Sequence, residues 1–225
     1  MDFLQRHEVF EIEVLDKMNS AKLLAPLVFG GGSMLRLCHE LPRYSVDLDF
    51  WLFRRIAQKS FFDKTRKVFE KDYEITDIQM KHYTLLFELR TARYPKKLKM
   101  EIRRAQGESD FQEKIAFSRF STRQVVLKAH TLDQTIKNKI EAFIDREEIR
   151  DCFDIEFLLR RGVALPIKNE GQLIVFREKL ARLKKKDFKV KLGSILESPM
   201  REYYVKHRFS YLEEQLASTS GKGNH

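Results

Sequence analysis

Two aspartates one residue apart, Asp47 and Asp49, interrupt the apolar run VDLDFWLF (46–53). On an extended strand their side chains leave the same face, with Cα atoms about 6.6 Å apart. Two carboxylates that converge at this range repel unless something neutralises them. A hard divalent cation does so well, since Mg²⁺ takes one or two carboxylates and leaves its other positions to phosphate oxygens and water. Upstream, three glycines and a serine, GGGS (30–33), follow the short apolar run LVF (27–29). Such a turn lets the backbone approach a phosphate closely, and N–H groups at the start of the next helix bind it. Gly31, Gly32 and Ser33 are therefore candidate phosphate ligands, although no lysine follows as in a Walker A loop. Arg36 and Arg43 flank the segment as candidate triphosphate contacts, with Arg43 alternatively paired to Asp47.

Two divalent ions need more negative charge than one aspartate pair supplies. Glu101, on the polar face of KLKMEIRR (97–104), is the favoured third ligand. Glu88 in LLFELR is its rival, and an ion pair with Lys99 or Arg103 is the alternative role for Glu101. Farther along, Asp151 and Asp154 lie three residues apart and share a helical face next to Arg150. Either they act at the site or they brace Lys139 or Arg146. The histidines His39, His82 and His130 share no ligand spacing.

The elements that must position these groups follow from periodicity. Apolar spacing predicts a helix over 2–24, a strand over 27–29, a short helix over Met34–Glu40 capped by Ser33, and a strand over Asp47–Phe53. A helix over 56–72, a hairpin over 73–92 and a strand over 97–104 come next. Residues 105–122 read as irregular, and 124–130 as a last short strand. Helical patterns then cover 131–146, 149–161, 169–186 and 199–217. The chain thus reads as a mixed α and β half over 1–128, a helical half over 129–218 and a disordered tail over 219–225. A functional cleft is expected between the halves.

Composition narrows the class. The chain has 225 residues, 43% of them apolar, with 18 phenylalanines, and no apolar run long enough to span a bilayer. No signal-peptide core opens it. Its two cysteines, Cys38 and Cys152, form neither a disulfide framework nor a zinc motif. A soluble cytoplasmic enzyme is expected. The net charge is +10, and residues 160–225 carry 15 basic against 7 acidic residues, +8 of that total. This asymmetry points to a polyanionic partner, most simply nucleic acid.

The order of motifs resembles the AbiEii/AbiGii nucleotidyltransferase toxins of abortive-infection systems. The matching segments are GGSMLRL (31–37), RYSVDLDF (43–50), MEIRR (100–104) and KIEAFIDREEIRDCFDIEFLL (139–159). The resemblance covers roughly residues 25–160. It implies an α+β fold with a DNA polymerase β-like catalytic core, a mixed sheet and a helical C-terminal domain. It implies Mg²⁺- or Mn²⁺-dependent transfer of a nucleotide from NTP to an acceptor, a tRNA 3′ end in some members, and a cognate antitoxin. Asp47, Asp49 and Glu101 would hold metal, with Glu101 also taking the acceptor proton. Lys139, which matches the family's lysine, would reach the β and γ phosphates, with Lys137 its nearest competitor. Asp154 is a catalytic candidate, and Arg150 and Asp151 are nucleotide-binding candidates. Nucleotidyl transfer to a protein or small molecule, or a degenerate nucleic-acid-binding module, are the alternatives.

Overall fold

A seven-stranded mixed sheet carries the first half of the protein. In the computed structural model, which describes residues 1–104, 109–167 and 169–220, the chain divides into two units, Met1–Thr131 and Leu132–His225. Unit one begins with α1 (Phe3–Ser20), β1 (Leu27–Gly30), α2 (Gly31–His39), β2 (Asp47–Leu52) and α3 (Gln58–Phe69). It continues with β3 (Glu74–Met80), β4 (Thr84–Arg90), β5 (Leu98–Arg103), β6 (Phe111–Phe117) and β7 (Gln124–His130). The strand order is β3-β4-β5-β2-β1-β7-β6. β2 runs parallel to β5 and β1 parallel to β7, and the other pairs are antiparallel.

Period-two patterning decides which face is which. Leu48, Phe50 and Leu52 of β2, Leu98, Met100 and Ile102 of β5, and Leu85, Phe87 and Leu89 of β4 are all buried. Against this face α3 lays Phe62 and Phe69, their ring centroids 5.0 and 6.0 Å from Phe87. Phe29 of β1 tilts against Phe50 at 5.1 Å. The opposite face carries the polar residues of the same strands, Asp47, Asp49, Lys99 and Glu101, all partly exposed.

Several expectations need correction. The first short helix starts at Gly31, with Gly30 in the capping position, so Ser33 lies inside the first turn. The segment 105–122 is not irregular throughout: Phe111–Phe117 pairs with β7 as an edge strand, and its exposed face hid its strand pattern. The tail expected to be disordered from 219 onward begins as helix, because Thr219 and Ser220 form the end of the last one. Residues 105–108, and 221–225 of that tail, lie outside the described residues.

Unit two contains α4 (Leu132–Arg146), α5 (Ile149–Arg160), α6 (Glu170–Ala181), a wide π-type turn (Asp187–Leu192), a 3₁₀ turn (Gly193–Ile195), α7 (Ser198–His207) and α8 (Ser210–Ser220). The helix expected over 199–217 is broken at Arg208, where φ is 52°. Phe188, within the lysine-rich run RLKKKDFKVK (182–191), is core: it is 3% exposed and its ring lies 5.2 Å from Phe209. Glu156 organises this end, accepting from the Tyr204 hydroxyl at 3.0 Å and the Leu212 N–H at 3.1 Å.

Phe87 touches two aromatic rings of α3 and is fully buried. Phe87→Ala should cost about 3–5 kcal/mol, read as a lower urea midpoint for loss of the folded signal.

Candidate active site

The register of three strands assembles the polar face. Asp49 pairs with Glu101 of β5 on one side and with Gly30 of β1 on the other, while Asp47 pairs with Lys99. Paired residues project from the same face, so Asp47, Asp49, Lys99 and Glu101 are neighbours. The carboxylates do not stand alone. Lys99 Nζ lies 2.5 Å from Glu101 Oε1. That hydrogen bond raises the ammonium pKa against the opposing effect of burial, and the charges of Asp47 and Asp49 raise it further. Among the described residues no three acidic, histidine or cysteine side chains converge as a ready metal cage. The ion pair considered for Glu101 is thus present, beside its expected neighbour Asp49. Glu88 is drawn away to Lys97 at 2.7 Å and Thr76 at 2.5 Å.

The glycine turn packs directly on these acids. Gly31 has φ +75°, where L side chains are strained, and a Cβ there would strike the Asp49 carboxylate. A Cβ on Gly32 would lie 2.5 Å from a terminal nitrogen of Arg43 and 2.8 Å from Ser45 Oγ. The first-turn N–H groups of α2 have no acceptor within the helix and sit beside the acidic rung.

Ser33 behaves differently from the expectation. It is fully buried, with Oγ 2.9 Å from Glu11 Oε1 and 2.7 Å from the Asp47 carbonyl oxygen. Its hydroxyl is therefore committed inside the protein, and only its backbone remains for a ligand. One hydroxyl proton cannot serve both acceptors. Burial pushes the Glu11 carboxyl well above its usual range, helped by the charges of Glu8 and Asp47 against the Ser33 hydrogen bond. A protonated Glu11 can donate to Ser33, which donates to Asp47. His7 holds the adjacent Val46 carbonyl at 3.0 Å from Nε2, and burial keeps its pKa below the usual value. Helix α1 thus grips both carbonyls that lead into the acidic strand. Periodicity had shown α1 only as a helix; the unusual signal was its three glutamates, Glu8, Glu11 and Glu13, all buried.

Arg36 is not available to a triphosphate. It is buried, with Nε donating to Glu8 at 2.8 Å and Nη1 to the Leu41 carbonyl at 2.9 Å, and its guanidinium stacks on Tyr44 at 4.5 Å. Arg43, buried beside Gly32, donates to the Tyr44 carbonyl at 3.0 Å.

In unit two, Lys139 Nζ lies 3.1 Å from Asp151 and 2.6 Å from Asp154, and Arg146 makes two bonds of 2.8 Å to Asp151. Asp151 and Asp154 are fully buried. The bracing alternative fits this geometry, since both carboxylates are engaged by Lys139 and Asp151 also by Arg146. Lys139 keeps one of its three donors beyond the two aspartates. Arg150 opens α5 beside them and is partly buried.

Solved structures with this architecture include JHP933 from Helicobacter pylori, 21% identical over 94% of this chain and 95% of that one, with a TM-score of 0.51. A second Helicobacter pylori protein, described as a candidate nucleotidyltransferase, is 20% identical over 93% and 97%, with a TM-score of 0.56. At these identities the likeness establishes the fold. Among curated proteins no relative matches significantly. The family model of the nucleotidyl transferase AbiEii toxin, type IV toxin–antitoxin system, matches residues 13–210, and the chain belongs to that family. It is accordingly a nucleotidyltransferase, of a toxin family whose systems imply a cognate antitoxin. No described helix is long and apolar enough to cross a membrane.

Gly31→Ala should lower nucleotidyl transfer on the order of 100-fold, the scale of a 1 Å misplacement, with the circular dichroism spectrum retained. Glu11 gives a pH prediction. Its folded pKa exceeds the reference 4.5, so the stability it adds is complete below that value and declines as pH rises toward the folded pKa. The stability of wild type relative to Glu11→Gln should fall steadily as pH climbs above 4.5, measured by urea titration.

Proposed function

We propose that the protein transfers a nucleotide from NTP to the 3′ end of an RNA, with tRNA as the acceptor, in an Mg²⁺- or Mn²⁺-dependent reaction. The observation that carries this reading is the rung in which Gly30, Asp49 and Glu101 sit side by side, with Gly31 folded over Asp49. The donor set suits a hard cation: the carboxylates are oxygen-only, partly exposed and already held against a positive charge on Lys99. Asp47 and Asp49 would hold the ion, joined by Glu101 once it leaves Lys99. When bound, the cation neutralises charge that develops on the transferred phosphate.

The remaining work falls to the chain itself. Backbone N–H groups of Gly31, Gly32 and Ser33 receive phosphate oxygens at the helix start. Arg43, whose guanidinium lies beside Gly32, is the candidate cation for the triphosphate at this turn. Lys139, held by Asp151 and Asp154 within unit two, is the lysine that the family resemblance assigns to the β and γ phosphates, and Arg150 is the adjoining cation. The acceptor hydroxyl oxygen bonds to the α-phosphorus, its proton passes to Glu101, and the bond to the bridging oxygen breaks to release pyrophosphate. Catalysis rests on positioning and charge neutralisation. The excess charge of residues 160–225, +8 of +10, favours an RNA acceptor over a protein or small molecule. Consumption of tRNA ends would make the protein a toxin that acts inside the cytoplasm, in keeping with abortive-infection phage defence.

Asp49→Ala should abolish transfer of label from α-labelled NTP to total RNA. The chelated wild type should match it. Label that appears on protein in RNA-free lysate, with none on RNA, would overturn the acceptor assignment.

A further inference from the structure

The rung next to the acidic one is of a different kind. Trp51 pairs with Arg103 in the step after Asp49 with Glu101. The Arg103 guanidinium lies 4.9 Å from the Trp51 ring centroid, and the His130 ring lies 4.6 Å from it. Two residues on, with the same strand parity, Phe53 has Lys128 Nζ at 5.4 Å and Arg54 at 5.7 Å, and packs on Phe111 at 5.0 Å. None of these rings belongs to the core face of β2, which is Leu48, Phe50 and Leu52. Trp51 and Phe53 are partly exposed, and the surface continues into Ile115 and Val126, 51% and 57% exposed. Glu113 is the acidic residue in register with Lys128.

Cations lie over these rings, Arg103 over Trp51 and Lys128 and Arg54 over Phe53, and a single-stranded nucleic acid suits such a surface: its backbone draws the cations outward and its bases stack on the ring faces they leave. Direction assigns the strand. β1 runs antiparallel to β2, so the glycine turn leaves β1 toward the Asp47 end, whereas Trp51 and Phe53 extend from the opposite end. A triphosphate held at the turn and a chain lying on Trp51 and Phe53 would approach the acidic rung from opposite sides. We propose that Trp51 and Phe53, with Arg54, Arg103 and Lys128, form the track for the unpaired 3′-terminal nucleotides of the acceptor and deliver the terminal hydroxyl to Asp49 and Glu101. This rests on the RNA-acceptor reading above. A base-paired end hides its ring faces and cannot use the track.

The test is fluorescence anisotropy of a 5′-labelled single-stranded RNA and a blunt RNA duplex, with chelator present so that no transfer occurs. Wild type should bind the single strand at least about tenfold more tightly than the duplex. Trp51→Ala should weaken that binding about tenfold, and Trp51→Phe should restore most of it. Lys128→Ala should weaken binding and reduce its salt dependence. In turnover, the Trp51→Ala loss should fall on the KM of the acceptor and not on that of the nucleotide. Thermal melting of each variant establishes that it is folded. Equal affinity for the duplex, undiminished binding by folded Trp51→Ala, or a loss carried by the nucleotide KM would overturn the track. The two readings fail separately. Wild type that labels RNA while Trp51→Ala binds it normally sinks the track alone. Wild type that binds single strands through Trp51 yet labels only protein supports the track and sinks the RNA-acceptor reading.

Discussion

Like charges placed at one register position of neighbouring strands must be offset, and the fold of unit one is arranged around that requirement. Parallel pairing of β2 with β5 sets Asp49 against Glu101 and, one step earlier, Asp47 against Lys99. The same period-two alternation that sends Leu48, Phe50 and Leu52 into the core obliges the aspartates to share the other face. A slip of one residue would bury both carboxylates and expose the aromatic core. The hydrophobic pattern therefore fixes the electrostatics: the chain cannot keep its core without presenting its acids together.

The support behind this face is polar, which is unusual for a core. Helix α1 reaches the entry of β2 through His7 and through the relay from Glu11 to Ser33. Glu8 pairs with Arg36 and accepts from Ser118 at 2.6 Å, which ties α1 to α2 and to the end of β6. Buried polar groups satisfied in this way specify one arrangement more sharply than apolar packing does. They also explain why two groups expected to meet nucleotide, the Ser33 hydroxyl and Arg36, instead hold the glycine turn in place.

Much of the frame was legible in the sequence because strong periodicity wrote it. Alternation in 97–104 identified β5 and the face of Glu101, and the DxD spacing identified β2. Adjacency of β2 and β5 is set by the sheet order, which neither motif encodes by itself. What escaped has physical causes. β6 is an edge strand with one outward face of mixed character, so 111–117 showed no clear period. Glycine supplied the helix start where a serine cap was expected, since the chain needed positive φ there rather than a side-chain acceptor. The break at Arg208 depends on a single backbone torsion that arginine does not announce. Partner choice was the least legible: nothing in spacing says that Glu101 turns to Lys99, or that Glu11 of α1 reaches Ser33 beneath the active face.

Lys99 carries a consequence of its own. Its ammonium sits among Asp47, Asp49 and Glu101 as a built-in counter-ion. Repulsion among the three acids is thereby relieved without any bound cation, so the polypeptide can reach and keep its shape in magnesium-poor surroundings. Under the metal-dependent reading proposed above, arrival of the cation would exchange one positive charge for another, and the displaced lysine would keep its charge and a long stem at the rim.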